Sequence, residues 1–222
     1  MNYKLDFTPV LEGLPSLLAA CLGTFALALG GMALAIVIGI GGVMLRDSRI
    51  APVRWFIKSF VEVIRNTPFL VQIYFIYFAL PLAGLRLDPT PTAIIALGIN
   101  GGAYAIEIIR GGVQSISRGQ IEAGLALGLH KTQVFRLIVL KPALRAIFPS
   151  LTSQFVLLTL TTSIASAISA YELTSVAQQI ETSSFRSFEV YGVVTVFYLV
   201  ISWLMMRGFG LISARYFSYP VK

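Results

Sequence analysis

The sequence predicts an all-α integral membrane protein with five transmembrane helices, and three observations carry that prediction. Hydrophobic residues make up 56% of the 222 and charged residues only 12%, about half the charge that a soluble domain needs to cover its surface. Five runs carry no charge, residues 13–45, 66–85, 89–106, 146–171 and 190–206. Each approaches or exceeds the roughly 17–25 helical residues that cross a bilayer core, and helices satisfy their own backbone hydrogen bonds there. The basic residues also segregate. With five spans, Arg46, Arg49, Arg54 and Lys58, then Arg110, Arg118, Lys131, Arg136, Lys141 and Arg145, then Arg207, Arg215 and Lys222 all fall on one side. Lys4, Arg86 and Arg186 fall on the other, among the acids Asp6, Glu12, Asp88, Glu172, Glu181 and Glu189. The positive-inside rule then places the N-terminus outside (periplasmic) and the C-terminus in the cytoplasm. The net charge of +7 is that basic membrane face, so no nucleic-acid partner is expected.

The first element is a short external lead-in followed by a glycine-rich helix holding Gly23, Gly30, Gly31, Gly39, Gly41 and Gly42, small residues that let transmembrane helices pack closely. Cys21 follows Leu18-Ala19-Ala20 as in a lipoprotein cleavage box, but Asp6, Pro9, Glu12 and Pro15 precede it where a basic start and apolar stretch are required. It reads as a buried helix residue, and a single cysteine excludes an internal disulfide. A basic loop leads into the second span, residues 56–80, bent near its start by Pro68 and ended or kinked by Pro81. The third helix carries Asn100-Gly101-Gly102 at its middle. A long insert follows, then the fourth helix, an external loop over residues 171–189, and the fifth helix anchored by Tyr191, Trp203 and Arg207. The chain reads as one membrane domain, 1–222.

The insert, about residues 111–145, interrupts the oil. Residues 120–127 are good helix formers with Glu122 near their start, Gly128 marks a turn, and residues 129–140 form a second short helix that Pro142 stops. Val134, Leu137 and Ile138 share a face of it, with Lys131 and Arg136 elsewhere. A basic helix–turn–helix at a membrane surface is shaped to dock into a groove on a soluble partner. No G-x-x-x-x-G-K-[ST] loop is present, so the chain has no P-loop of its own. One His and one Cys far apart make no metal cluster, and no Ser/His/Asp set is credible. An enzyme is not expected.

At this point the residues resemble a known family. Glu122-Ala123-Gly124, Gly128, Ile138 and Leu140 with proline close behind are similar to the EAA loop of ABC-importer permeases. Arg65-Asn66-Thr67-Pro68-Phe69-Leu70-Val71-Gln72, the stretch from Ala103 to Gly112, and the stretch from Gln114 to Gln120 resemble the polar amino-acid permeases of the histidine and glutamine type. The resemblance covers nearly the whole chain. It implies the type I importer fold, a place in the bacterial cytoplasmic (inner) membrane, and a coupling helix between the third and fourth spans. Glu122, Ala123, Gly124, Gly128, Leu129, His130, Lys131, Phe135 and Arg136 would then meet a cytoplasmic ABC ATPase dimer, which holds the ATP and Mg, with no cofactor in this chain. It further implies an external amino-acid-binding protein and a second permease subunit, a heterodimer being slightly favoured over a homodimer.

Three places depart from the family pattern. Gly124 stands in place of alanine and loosens its turn, and the proline comes one residue late at Pro142. Leu160 and Thr161 occupy the places where many relatives carry a lysine and an acidic or amide residue.

For a substrate path, Thr159, Thr162, Ser163 and Ser166 recur at helical spacing and so share one face of the fourth helix. Asn100 and Glu107 lie two turns apart on the third, and Gln72 joins them. Uncharged amides and hydroxyls can serve both ends of a zwitterion. The bland readings stand beside this one: hydroxyls in membrane helices often bond to their own backbone, Glu107 pairs with Arg110, and Glu62 with Arg65. An uncoupled channel or assembly protein is the rival function.

Overall fold

The computed structural model describes residues 3–217; Lys222, counted above among the basic residues of one side, lies outside them. The described residues are helical with short connections. A single turn, α1 (Thr8–Glu12), ends at Gly13 and leads into α2 (Leu14–Arg46), whose 33 residues span about 50 Å at 1.5 Å each. Next come α3 (Ala51–Arg65), α4 (Phe69–Leu82) and α5 (Pro89–Gln114). The insert forms α6 (Arg118–Ala126) and α7 (Lys131–Val134), followed by a π-helical turn (Phe135–Val139) that runs straight into α8 (Leu140–Thr161). A 3-10 segment (Thr162–Ile168), α9 (Leu173–Ser184) and α10 (Ser187–Tyr216) complete the order.

Four unbroken stretches are long and apolar enough to cross a membrane: α2, α5, residues Lys131–Ile168 and α10. A bent pair, α3 with α4, brings the candidate spans to five if the pair counts as one, and here the structure corrects the sequence reading. Residues 56–80 are not one helix with a bent start but two helices meeting at 115°. Proline disfavours the helical conformation for the residue before it, and here the chain breaks, with Pro68 extended at φ −65°, ψ 137°. The 14 residues of α4 reach only about 21 Å, while α3 turns aside.

The central pair is α2 against α5. Leu27, Leu97 and Leu158 are fully buried where these helices meet α8, with Ile73 of α4 beside them. Small residues set the spacing: a Cβ at Gly39 of α2 would lie 2.7 Å from the Ala105 Cβ, and one at Gly102 of α5 would lie 2.5 Å from Ile38. Each helix lends a glycine to the other's bulk, as close membrane packing requires. A second cluster, Val10, Leu17, Leu173 and Val190, ties α1, α2, α9 and α10 together at the end opposite the insert.

Two further expectations are revised. Pro142 does not stop a helix; it is the third residue of α8. The π turn just before it shifts the hydrogen-bond register, and a proline in the first turn of the resumed α-helix lacks only a donor that needs no partner. At the other end, the fourth helix tightens to 3-10 at Thr162 and closes on Ser169 at φ 60°, so it does not continue to residue 171. The loop over 171–189 then contains a 12-residue helix, α9. Glu172 starts it, its carboxylate accepting from the Thr174 and Ser175 N–H groups at 2.8 and 2.6 Å, a strong N-cap.

Candidate functional site

The insert folds as a hairpin with an exposed ridge. Ser117 caps α6 by accepting from the Gln120 N–H. The helix ends in a paired turn: the Gly128 N–H donates to the Leu125 carbonyl at 3.0 Å and the Leu129 N–H to the Gly124 carbonyl at 3.2 Å. That pattern needs a left-handed residue, and Gly128 supplies it at φ 82°. Gln133 accepts from the His130 N–H at 2.9 Å and fixes the start of α7. Gly124 is buried, and a Cβ there would lie 2.4 Å from Ile138. The glycine therefore tightens the hairpin rather than loosening its turn, because it lets α6 close onto the π turn.

Gly124, Val134 and Val139 are turned inward, while three apolar side chains stand out. Leu127 is 82% exposed, Leu137 64% and Phe135 48%. The face expected to hold Val134, Leu137 and Ile138 together divides: Val134 and Ile138 lie against Gly124, and Leu137 does not. The wider π turn carries it outward, since five residues rather than four separate bonded positions. Glu122, Ala123, His130, Lys131 and Arg136 are exposed around this ridge and Leu129 is half-buried. All nine expected docking residues thus fall on one hairpin, Gly124 being the sole buried one.

The expected path residues do not form one surface. Gln72 and Asn100 meet inside the bundle, where the Asn100 Nδ2 donates to the Gln72 Oε1 at 2.9 Å. The Gln72 Nε2 donates to the Ile64 carbonyl at 2.8 Å and the Thr67 carbonyl at 3.1 Å. This amide latch satisfies the backbone freed at the α3–α4 break and fastens it to α5. Glu107 pairs with Arg110, whose Nη2 lies at 2.6 Å, and also with Arg46 at the end of α2. The Glu62–Arg65 pair does not form; Arg65 lies over the Tyr104 ring at 5.3 Å.

The hydroxyl stripe divides for a geometric reason. Thr159 and Thr162 are fully buried, with their hydroxyls donating to the Phe155 and Thr159 carbonyls at 2.9 and 2.7 Å. Past Thr162 the 3-10 geometry of three residues per turn puts Ser163, Ser166 and Ser169 on a different side. Ser163 and Ser166 also bond back to their own helix, at 2.8 and 2.7 Å. Ser166 and Ser169 then border a groove of about 510 Å³ with Tyr171, Ser175, Gln178 and Thr182. No charged side chain lines it. The α9 members had been passed over in a stretch read as loop, although Ser175, Gln178, Gln179 and Thr182 already carry helical spacing. Beneath the groove, Glu172 accepts from the Tyr198 hydroxyl at 2.7 Å, and burial pushes its carboxyl above the usual range. Among the described residues no group of His, Cys, Asp and Glu could hold a metal ion.

Similar proteins agree with this architecture. The glutamine transport system permease protein GlnP of Escherichia coli K12 is 39% identical over 201 residues, covering 90% of this chain and 92% of that one. The L-cystine transport system permease protein TcyB of Bacillus subtilis is 37% identical over 194 residues, 86% and 81% of the two chains. A crystal structure of an amino acid ABC transporter with histidines superposes with a TM-score of 0.88 at 29% identity, covering 96% of this chain and all of that one. The fold alone is shared with an inward-facing MetNI methionine ABC transporter, at a TM-score of 0.72 and 21% identity over 88% of this chain and 94% of that one. Residues 31–218 match the family described as binding-protein-dependent transport system inner membrane component, and this multi-pass membrane chain belongs to that family.

Proposed function

We propose that this chain is a non-catalytic permease subunit of an ATP-driven importer for polar amino acids in the bacterial inner membrane. The observation that carries the reading is the hairpin: an exposed apolar ridge of Leu127, Phe135 and Leu137, edged by His130, Lys131 and Arg136, held stiff from behind by the Gly124–Ile138 approach. Such a ridge suits a groove in a soluble partner. In this reading the hairpin end faces the cytoplasm, in keeping with the positive-inside rule, and the partner is an ABC ATPase dimer that binds the ATP and Mg.

Transport follows by alternating access. A binding protein outside delivers the amino acid toward the groove between the 3-10 segment and α9. A second permease subunit completes the path, since the described chain encloses no continuous one. ATP-driven closure of the ATPases moves both hairpins, rocks the bundles and opens the path outward, and hydrolysis resets it. The groove's hydroxyls and amides can donate and accept without a fixed charge, which suits a polar amino acid. Leu160 and Thr161 leave any charged recognition group to the second subunit, so a heterodimer is favoured.

Co-purification from native membranes tests this. The tagged wild type is expected to bring down an ATPase, a second permease and, in the presence of substrate, a binding protein. Leu127→Asp and Gly128→Asp are expected to lose the ATPase and keep the second permease. If the wild type brings down no ATPase under conditions that preserve other membrane complexes, the uncoupled-channel reading replaces this one.

A further inference from the structure

Viewed down its axis at 100° per residue, α3 has three faces rather than two. Ile57 and Val61 are buried and pack with Ile106 and Val43. Arg54, Lys58, Glu62 and Arg65 occupy the next third. Pro52, Trp55, Phe56 and Val63 occupy the last with a single hydroxyl, Ser59, among them, and there Trp55 is 75% and Phe56 68% exposed. A helix packed on a bundle and facing water needs only the first two faces. A basic face beside an exposed aromatic and apolar face suits a helix lying in the plane of the membrane interface, and the 115° turn at Pro68 sets α3 across the direction of α4.

Beside the basic face, a cleft of about 510 Å³ opens between α3, the end of α2 and α5, bordered by Arg46, Lys58, Glu62, Arg65, Tyr104 and Glu107. Glu107 is already engaged by Arg46 and Arg110. The Arg65 guanidinium rests on Tyr104, and among the described residues neither it nor the Lys58 ammonium forms an ion pair. The cleft therefore presents two unmatched cations against the single acid Glu62, next to the Glu107 cluster that itself carries one cation in excess.

We propose that this cleft binds the phosphate headgroup of an anionic phospholipid in the leaflet at the hairpin end, with Trp55 and Phe56 seated among its acyl chains. Charge complementarity selects an anion, and the exposed, mainly apolar face on the same helix selects an amphipathic anion over free phosphate. Clustered Lys and Arg at a membrane surface attract anionic headgroups in this way. The argument for binding rests on α3 and its cleft; only the assembled transporter used in the first test rests on the proposed function.

Native mass spectrometry of the delipidated, assembled transporter in an equimolar mixture of phosphatidylglycerol and phosphatidylcholine tests it. Wild type is expected to retain phosphatidylglycerol preferentially, and Lys58→Gln and Arg65→Gln to weaken that retention about fivefold each. Arg207→Gln, a basic residue outside the cleft, is expected to leave it unchanged. Equal retention of the two lipids, retention unaffected by the cleft variants, or displacement of the lipid by inorganic phosphate would each overturn the proposal. So would a cleft in the assembled transporter covered by another subunit and holding no lipid. A second measurement needs no cleft variant. In nanodiscs holding the full chain with Trp203→Phe, Trp55 fluorescence should be quenched more by brominated phosphatidylglycerol than by brominated phosphatidylcholine at equal mole fraction, and equal quenching contradicts the assignment.

Discussion

Along α2 and α5 the backbones approach until Gly39 faces the Ala105 Cβ and Gly102 faces Ile38, with Leu27, Leu97 and Leu158 fully buried around the crossing. In the α6–α7 hairpin, Gly124, Val134 and Val139 are the inward residues, and Leu127, Phe135 and Leu137 stand exposed. Both regions use glycine at a close approach, yet one hides its apolar surface and the other displays it. Membrane helices gain little from hiding apolar groups from lipid, so the central pair is held by fit. The hairpin lies beyond the uncharged runs, and in the proposed function its exposed apolar patch is an interaction surface. On that proposal the contrast separates a part that must not change from a part that must meet a partner.

The largest expected effect is in the central pair. Gly39→Leu drives a branched side chain into Ala105 and is expected to cost about 2–3 kcal/mol, read as unfolding in mixed micelles. An unchanged midpoint would show that the pair is looser than its spacing implies. Next comes Gln72→Leu, which strands the Asn100 amide and the Ile64 carbonyl inside the bundle and is expected to cost about 2 kcal/mol. Asn100→Leu with Gln72→Leu should cost less than the two singles added, because the pair is one latch. Gly128→Ala should be milder. Nothing lies within 4 Å of the added Cβ, so only the left-handed backbone at φ 82° resists it, at about 1 kcal/mol. The smallest stability effect belongs to Leu127→Asp, within about 0.5 kcal/mol as for surface changes generally. It should nevertheless abolish ATPase association, and a variant that is both stable and fully associated would remove the ridge from the interface.

The sequence made the helices legible wherever composition alone decides. The uncharged runs mark α2, α5 and α10 because lipid tolerates little else, and Gly128 announced its turn because few residues adopt a positive φ. Resemblance added the expectation that the hairpin docks on an ATPase. What stayed hidden depended on register. The period of 3.6 put Leu137 on one face with Val134 and Ile138 and kept Thr159 and Ser166 on another, and the π and 3-10 turns rotated both predictions. Pro68 was read as a bend and Pro142 as a stop, though each effect is decided by the local backbone: Pro68 itself is extended, while Phe135–Val139 before Pro142 is a π turn. Arg46 escaped notice as the partner of Glu107 because the two lie 61 residues apart, and only the α2–α5 packing brings them together.

Hydrogen exchange of the hairpin amides, in the permease alone and in the assembled transporter, tests the central claim most directly. Residues 125–137 should exchange readily in the permease alone and become protected on assembly, while the amides of α2 and α5 stay slow in both. Unchanged exchange across 125–137 in a transporter that hydrolyses ATP would contradict the assignment of this hairpin as the surface through which the chain is driven.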